Sequence, residues 1–173
     1  AILDTGVDMT HPDLAPNLWT NTAEAEGEAD YDNDGNGFKG DVHGWDFVNN
    51  SPNVRDNNMH GTHVAGIAAA VNNGKGIVGA NPLAYIMPVT VMQSDGTGDM
   101  ATIIQGINYA VANGATVINM SLGSYTNSHA LRLALENAYH SAVIVASAGN
   151  DGKPISKECG KMPCPAPCFP ANR

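Results

Sequence analysis

The stretch DMATIIQGINYAVANGATVINMSL, residues 99–122, decides the fold, because it holds one helix and one strand with the signals that separate them. Met100, Ile103, Ile104, Ile107 and Val111 recur at the spacing of one helical face, with Asp99 placed to cap the start and Gly114 to end it. Ala115 to Leu122 follows as an apolar run rich in Val and Ile, the pattern of a buried strand. Working outward, Ala1-Ile2-Leu3 reads as a strand ending at Asp4-Thr5-Gly6, Leu83 to Met92 as another with Pro88 inside it, and Ala142 to Ala148 as a fourth. Leu131, Leu135 and Ala138 mark a further helix, and His60 opens one whose apolar stripe is Val64, Ile67, Ala68 and Val71. Strands that are apolar throughout, each separated by a helix, predict an α/β fold: three layers, with a mostly parallel twisted sheet covered by helices on both faces.

In such sheets the chemistry gathers at the carboxyl ends of the strands. Asp4, Ser121 and Asn150 each follow a strand and should therefore share one edge. The fourth contributor is His60-Gly61-Thr62-His63, where His60 is the candidate base and His63, one turn further in, reads as a packed core histidine.

The 173 residues, 43% of them apolar, suffice for one core, so a single domain is expected. Seventeen acidic residues against eight Lys plus Arg leave a formal charge of −9, which disfavours nucleic acid and anionic lipid and favours cations as partners. No stretch approaches the roughly 18 consecutive apolar residues of a membrane span. Cys159, Cys164 and Cys168 fall in one Pro-rich tract without a nearby histidine, which does not match a zinc ribbon or finger. They read either as a local disulfide with one cysteine left to pair elsewhere, which implies an oxidising compartment, or as free thiols. The chain opens inside an apolar run and stops at Arg173 without an ending element, so it reads as part of a longer one.

The tract Asp30-Tyr31-Asp32-Asn33-Asp34-Gly35-Asn36-Gly37-Phe38-Lys39-Gly40-Asp41 has a chemistry of its own. Asp30, Asp32 and Asp34 stand at loop positions one, three and five, with Gly35 at six, Asn36 offering a carbonyl at seven and Asp41 closing at twelve. That is a Ca2+-loop ligand order, with Asp in place of the usual closing Glu and no flanking helix pair. A register beginning at Asp32 and a merely solvated acidic loop are the other readings, though clustered carboxylates without a cation repel one another.

Five blocks, in order, resemble the subtilisin family of serine proteases: Ala1 to Asp8, His11-Pro12-Asp13-Leu14, His60 to Gly66, Val117 to Gly123, and Ala146-Ser147-Ala148-Gly149-Asn150. The resemblance covers residues 1 to about 152 and implies a partial peptidase catalytic domain over 1–173, with an acidic insertion at 24–45 and a Cys/Pro-rich loop at 153–170. It implies Asp4 as the triad aspartate, His60 as the general base and Asn150 as the side-chain donor to the oxyanion. Ser121-Leu122-Gly123 and Gly96-Thr97-Gly98 resemble the two edges that hold an extended peptide as an added strand, although Asp95-Gly96 alone reads as an ordinary turn. Met92, Met100 and Ile103 line an apolar pocket by family position, while Met100 and Ile103 equally fit core packing. A second Ca2+ site is implied, with ligands from Asp13 and Asn73 side chains and the carbonyls of Val71, Lys75 and Ile77.

The family's nucleophile sits in a Gly-Thr-Ser-Met-type block that does not occur in these residues, and Ser121 is not in a Gly-x-Ser-x-Gly elbow. The serine is therefore expected beyond residue 173 or on a separate chain, unless the protein is a degenerate relative. The expected activity is secreted or extracytoplasmic serine endopeptidase, with polypeptide substrates and a propeptide inhibitor as partners. The alternative is a calcium-dependent peptide-binding pseudoprotease.

Overall fold

A computed structural model of the chain describes residues 1–124, 126, 128–150 and 152. Five strands alternate with helices: β1 (Ile2–Asp4), α1 (Thr22–Glu26), β2 (Trp45–Asp46), α2 (His60–Ala69), β3 (Pro88–Thr90), α3 (Met100–Ala112), β4 (Val117–Met120), α4 (His129–Ala138) and β5 (Val143–Ala146). Every strand pair is parallel and the order is β2-β3-β1-β4-β5, so the chain begins in the middle of the sheet and builds outward on both sides. Successive residues of a strand face opposite ways. Leu3 accordingly joins the core under α3 and α4, with Val89, Ile107, Ile118 and Met120, while Ile2 joins a smaller core under α2 with Leu14, Ala65 and Ala69. Helices therefore lie on both faces of the sheet.

The boundary signals work as their chemistry requires. Asp99 accepts from the Ala101 N–H at 2.6 Å and starts α3, and Gly114 takes φ +78° just past its end. The Leu83–Met92 run shortens to Pro88–Thr90, with Pro88 at the first strand position, where it costs no ladder bond. Leu83 and Tyr85 are exposed, whereas buried Ile86 forms a parallel bridge with Leu18 by exchanging backbone bonds with Asn17 and Trp19. On β4 and β5, Val117, Val143 and Val145 are exposed rather than buried throughout: β5 is the edge strand, and among the described residues nothing layers that face of the pair.

Helix α2 also departs from the expected stripe. It buries Gly61, Ala65 and Ala69, leaves Ile67 exposed, and places His63 at the surface instead of in the core. Its smallest residues face inward because its first turn lies against the end of β1, where a Cβ at Gly61 would come within 3.1 Å of Asp4 and closer still to the Gly6 carbonyl. The two-residue strand β2 and the single-turn helix α1 carry no sequence period, and neither is expected from the residues alone. The tract 153–170 with Cys159, Cys164 and Cys168 lies outside the described residues.

Candidate active site

Asp4 is the last residue of β1 and is fully buried. Its Oδ1 accepts from the Thr5 N–H at 2.8 Å and from His60 Nδ1 at 2.7 Å. His60 is the first residue of α2, and its side chain is 47% exposed, open to the cleft beside it. With the proton of Nδ1 engaged by the carboxylate, the Nε2 of a neutral ring carries the free lone pair. That is the arrangement of a base oriented by an acid. Asp4 Oδ2 is buried without a hydrogen-bond partner among the described residues.

The cleft beside His60 has a volume of about 360 Å³ and is lined by all of Gly96, Gly98, Ser121, Leu122 and Gly123. Gly96 is both things the sequence allowed: it makes the turn of the loop after β3, at φ +82°, and it borders the cleft. That loop is held shut by a bridge between Met92 and Gly98. The opposite wall is fastened to the loop after β5, where Ser147 Oγ donates to the Leu122 carbonyl at 3.0 Å. Ser121 Oγ accepts from Asn119 Nδ2 at 3.0 Å. Met92, Met100 and Ile103 pack on the core and also line the cleft, so the two readings of these residues coexist. Asn150 is exposed four residues past the end of β5, on the same carboxyl edge as Asp4, with β4 lying between β1 and β5.

Within the acidic tract the structure gathers a different set from the loop order. Glu24, Asp34 and Asp41 each bring a carboxylate oxygen within 4.8 Å of the others. Asp41 is fully buried, and burial pushes its carboxyl up, partly offset by donors from Tyr109, Asn36 and Asn21. Tyr109 Oη donates to Asp41 Oδ2 at 2.6 Å, and burial followed by that contact pushes the phenol well above its usual range. Burial alone would raise Glu24, but N–H groups of Gly40, Asn33 and Asp34 donate to it and carry it below the usual value. Asp32 accepts from the Asn36 and Gly37 N–H groups and shapes the turn. Asn36 donates its amide to Asp34 and Asp41, whereas Asp30 points outward and pairs with Lys39 at 3.7 Å. The hard oxygen donors and the buried carboxylate fit a cation of the Ca2+ type.

The other expected metal loop folds around Asp13, which is buried. Asn73 Nδ2 donates to Asp13 Oδ1 at 2.9 Å, Val71 N–H to the Asp13 carbonyl at 2.9 Å, and Lys75 N–H to Asn73 Oδ1 at 2.9 Å. Ile77, the last of the set, has an exposed side chain.

Comparison with known sequences matches residues 1–168 to the subtilase family. The chain belongs to the subtilase family. Among similar proteins, thermitase of Thermoactinomyces vulgaris is 41% identical over 154 residues, which are 88% of this subtilase chain and 47% of that protein. The thermophilic serine proteinase of Bacillus sp. (strain AK1) is 41% identical over 160 residues, 91% of this chain and 34% of the relative. Subtilisin E of Bacillus subtilis (strain 168) is 38% identical over 154 residues, 88% and 34% respectively. The subtilase chain thus spans a third to a half of the length of these relatives. Among its described residues no helix is long and apolar enough to cross a membrane.

Two residues of this subtilase site escape a reading of the sequence. Glu24 is separated from the Asp-rich run and reaches it only because α1 folds back over the loop. Asp56 ties the end of β1 to the start of α2, and its one signal is its position four residues before His60.

Proposed function

We propose that this chain supplies the acid, the base and part of the substrate cleft of a secreted serine endopeptidase, whose nucleophilic serine lies beyond residue 173. The observation that carries the reading is the 2.7 Å contact between buried Asp4 and a histidine that opens onto the cleft. In this reading Asp4 holds the ring with Nε2 toward the serine, and His60 takes the serine proton as its oxygen attacks the peptide carbonyl. His60 then returns that proton to the leaving amine as the acyl-enzyme forms, and repeats the transfer with water. Asn150 donates to the oxygen on which negative charge develops. Gly96 and Gly98 on one side and Ser121, Leu122 and Gly123 on the other hold an extended polypeptide as an added strand. A propeptide would occupy the same groove as an inhibitor.

Ca2+ is the proposed structural cofactor. Glu24, Asp34 and Asp41 would hold one ion, with Asp32 and Asn36 supporting the turn and Asp30 outside the set, paired with Lys39. Asp13 and Asn73, with carbonyls of Val71, Lys75 and Ile77, would hold another. Ions bound there would supply positive charge beside the crowded carboxylates of the first set and beside Asp13 in the second, and binding only to the folded state would stabilise it by mass action.

The test is peptide hydrolysis by the full-length protein that contains this chain, against its His60→Ala variant. Hydrolysis lost with alanine supports the reading. Equal hydrolysis overturns it, and Ca2+-dependent peptide binding without hydrolysis by the unaltered protein establishes the pseudoprotease instead.

A further inference from the structure

Between the strand that carries Asp4 and the helix that carries His60 lies one carboxylate with five donors. Asp56 Oδ1 accepts from Thr5 Oγ1 at 2.9 Å and from the N–H groups of Asn58 and Met59 at 2.9 and 3.0 Å. Its Oδ2 accepts from the Thr62 N–H at 2.9 Å and from Thr62 Oγ1 at 2.6 Å. Both hydroxyls pass the connection on. Thr5 Oγ1 accepts from the Gly61 N–H at 3.1 Å, and Thr62 Oγ1 accepts from the Asp8 N–H at 2.9 Å. The neighbours of Asp4 in sequence are thereby joined to the neighbours of His60.

Met59 adds a second, independent observation. It precedes His60 at φ +84°, a left-handed conformation that a side-chain-bearing residue rarely adopts. Such a conformation persists only where its surroundings hold it. The Met59 side chain is 79% exposed and offers no packing to do so, whereas its N–H is bonded to Asp56. Met59 also provides no side-chain cap to α2, and Asp56 takes that part through the Thr62 N–H, placing negative charge at the helix start. Burial would push the Asp56 carboxyl up, but its donors outweigh burial and hold it below the usual range, so it is an anion at neutral pH.

We propose that Asp56 is a positioning residue that sets the Asp4–His60 geometry, by clamping Thr5 to Thr62 and holding Met59 in its left-handed conformation. It touches no substrate and exchanges no proton. The proposal deepens the serine endopeptidase reading and rests on it.

The experiment uses the full-length protein with Asp56→Asn, Thr5→Val and Thr5→Ser, assayed well below each variant's Tm. An amide in place of the carboxylate turns an NH2 group onto donors that now have an acceptor. The expected result is a kcat about 10- to 100-fold lower with KM changed by less than about twofold, the range of cost for misplacing a reacting group by about 1 Å. Thr5→Val shares the loss and Thr5→Ser restores most of it. The downfield proton resonance of His60 Nδ1–H, recorded without substrate, shifts or broadens in Asp56→Asn and in Thr5→Val. Wild-type kcat in both of these variants, or a loss matched by the unfolded fraction, overturns the proposal. If Asp56→Asn does not fold, the Thr5 pair decides in the same way. Because the resonance needs no turnover, an unchanged signal sinks the role of Asp56 alone, whereas an unchanged rate in His60→Ala sinks the hydrolase reading.

Discussion

Gly61 sits second in α2, and replacing it by alanine tests the geometry through a reversal of sign. In an ordinary helix interior alanine is favoured over glycine by about 1 kcal/mol. Here the new Cβ would lie 3.1 Å from the Asp4 Cβ and Oδ1 and well inside 3.0 Å of the Gly6 carbonyl oxygen, a backbone atom that cannot swing aside. Relieving that contact to an ordinary separation moves the helix start by on the order of 1 Å. His60 rides on that turn, so its 2.7 Å bond to Asp4 stretches out of hydrogen-bonding range. The expected cost is about 1–3 kcal/mol of stability from overpacking, together with a loss of turnover on the order of 100-fold from the displaced base. Thermal melting and kcat/KM on a peptide substrate, both in the full-length protein, measure the two parts separately. A Gly61→Ala variant that melts at or above the wild-type Tm with undiminished turnover would show that the helix start is not pressed against β1 as described.

Tyr109→Phe removes the buried hydroxyl that donates to Asp41, and a buried carboxylate short of a donor costs about 1–3 kcal/mol; a Tm equal to wild type at matched Ca2+ contradicts that accounting. Chelation of Ca2+ lowers Tm, and the shift shrinks in Glu24→Gln, while a Tm insensitive to chelator in both proteins removes the metal assignment. Asp56 has a folded carboxyl held below its ordinary value of 3.8, so its contribution to stability is complete above that pH and is lost as pH falls through the lower folded value. Denaturation curves of wild type and Asp56→Asn should therefore converge on acidification, and a gap that stays constant into the acid range refutes the linkage.

Much of the architecture is local chemistry and can be read residue by residue. The periodicity of Met100 to Val111, the cap at Asp99 and the stop at Gly114 specify α3 without help from the rest of the chain. The apolar runs around Ile118 and Val145 specify strands in the same way, and their alternation with helices specifies a parallel sheet. Asp4 and His60 are legible because strand ends and helix starts in such a sheet face one edge, whereas the cleft glycines are marked by the family resemblance, since Asp95-Gly96 alone reads as a turn.

What escaped the sequence depends on contacts between segments distant along the chain. Ile67 looks like the core residue of α2, yet the close approach to β1 admits only the glycine and alanine face, and His63 goes to the surface with the bulkier side. The Asp-rich loop shows that carboxylates crowd but not which groups meet, because Glu24 arrives from α1 and the Tyr109 hydroxyl from α3 while Asp30 swings out to Lys39. Asp56 carries no period and no motif, and its five donors meet only once β1 and α2 are packed. Sequence alone determined where the periodic elements form, β2 and α1 apart, and which edge the candidate residues share, since dihedral preference and side-chain period act within a few residues. Tertiary structure decided which groups stand within 3 Å of one another, since only the packed sheet and helices set the distances between groups far apart in the chain.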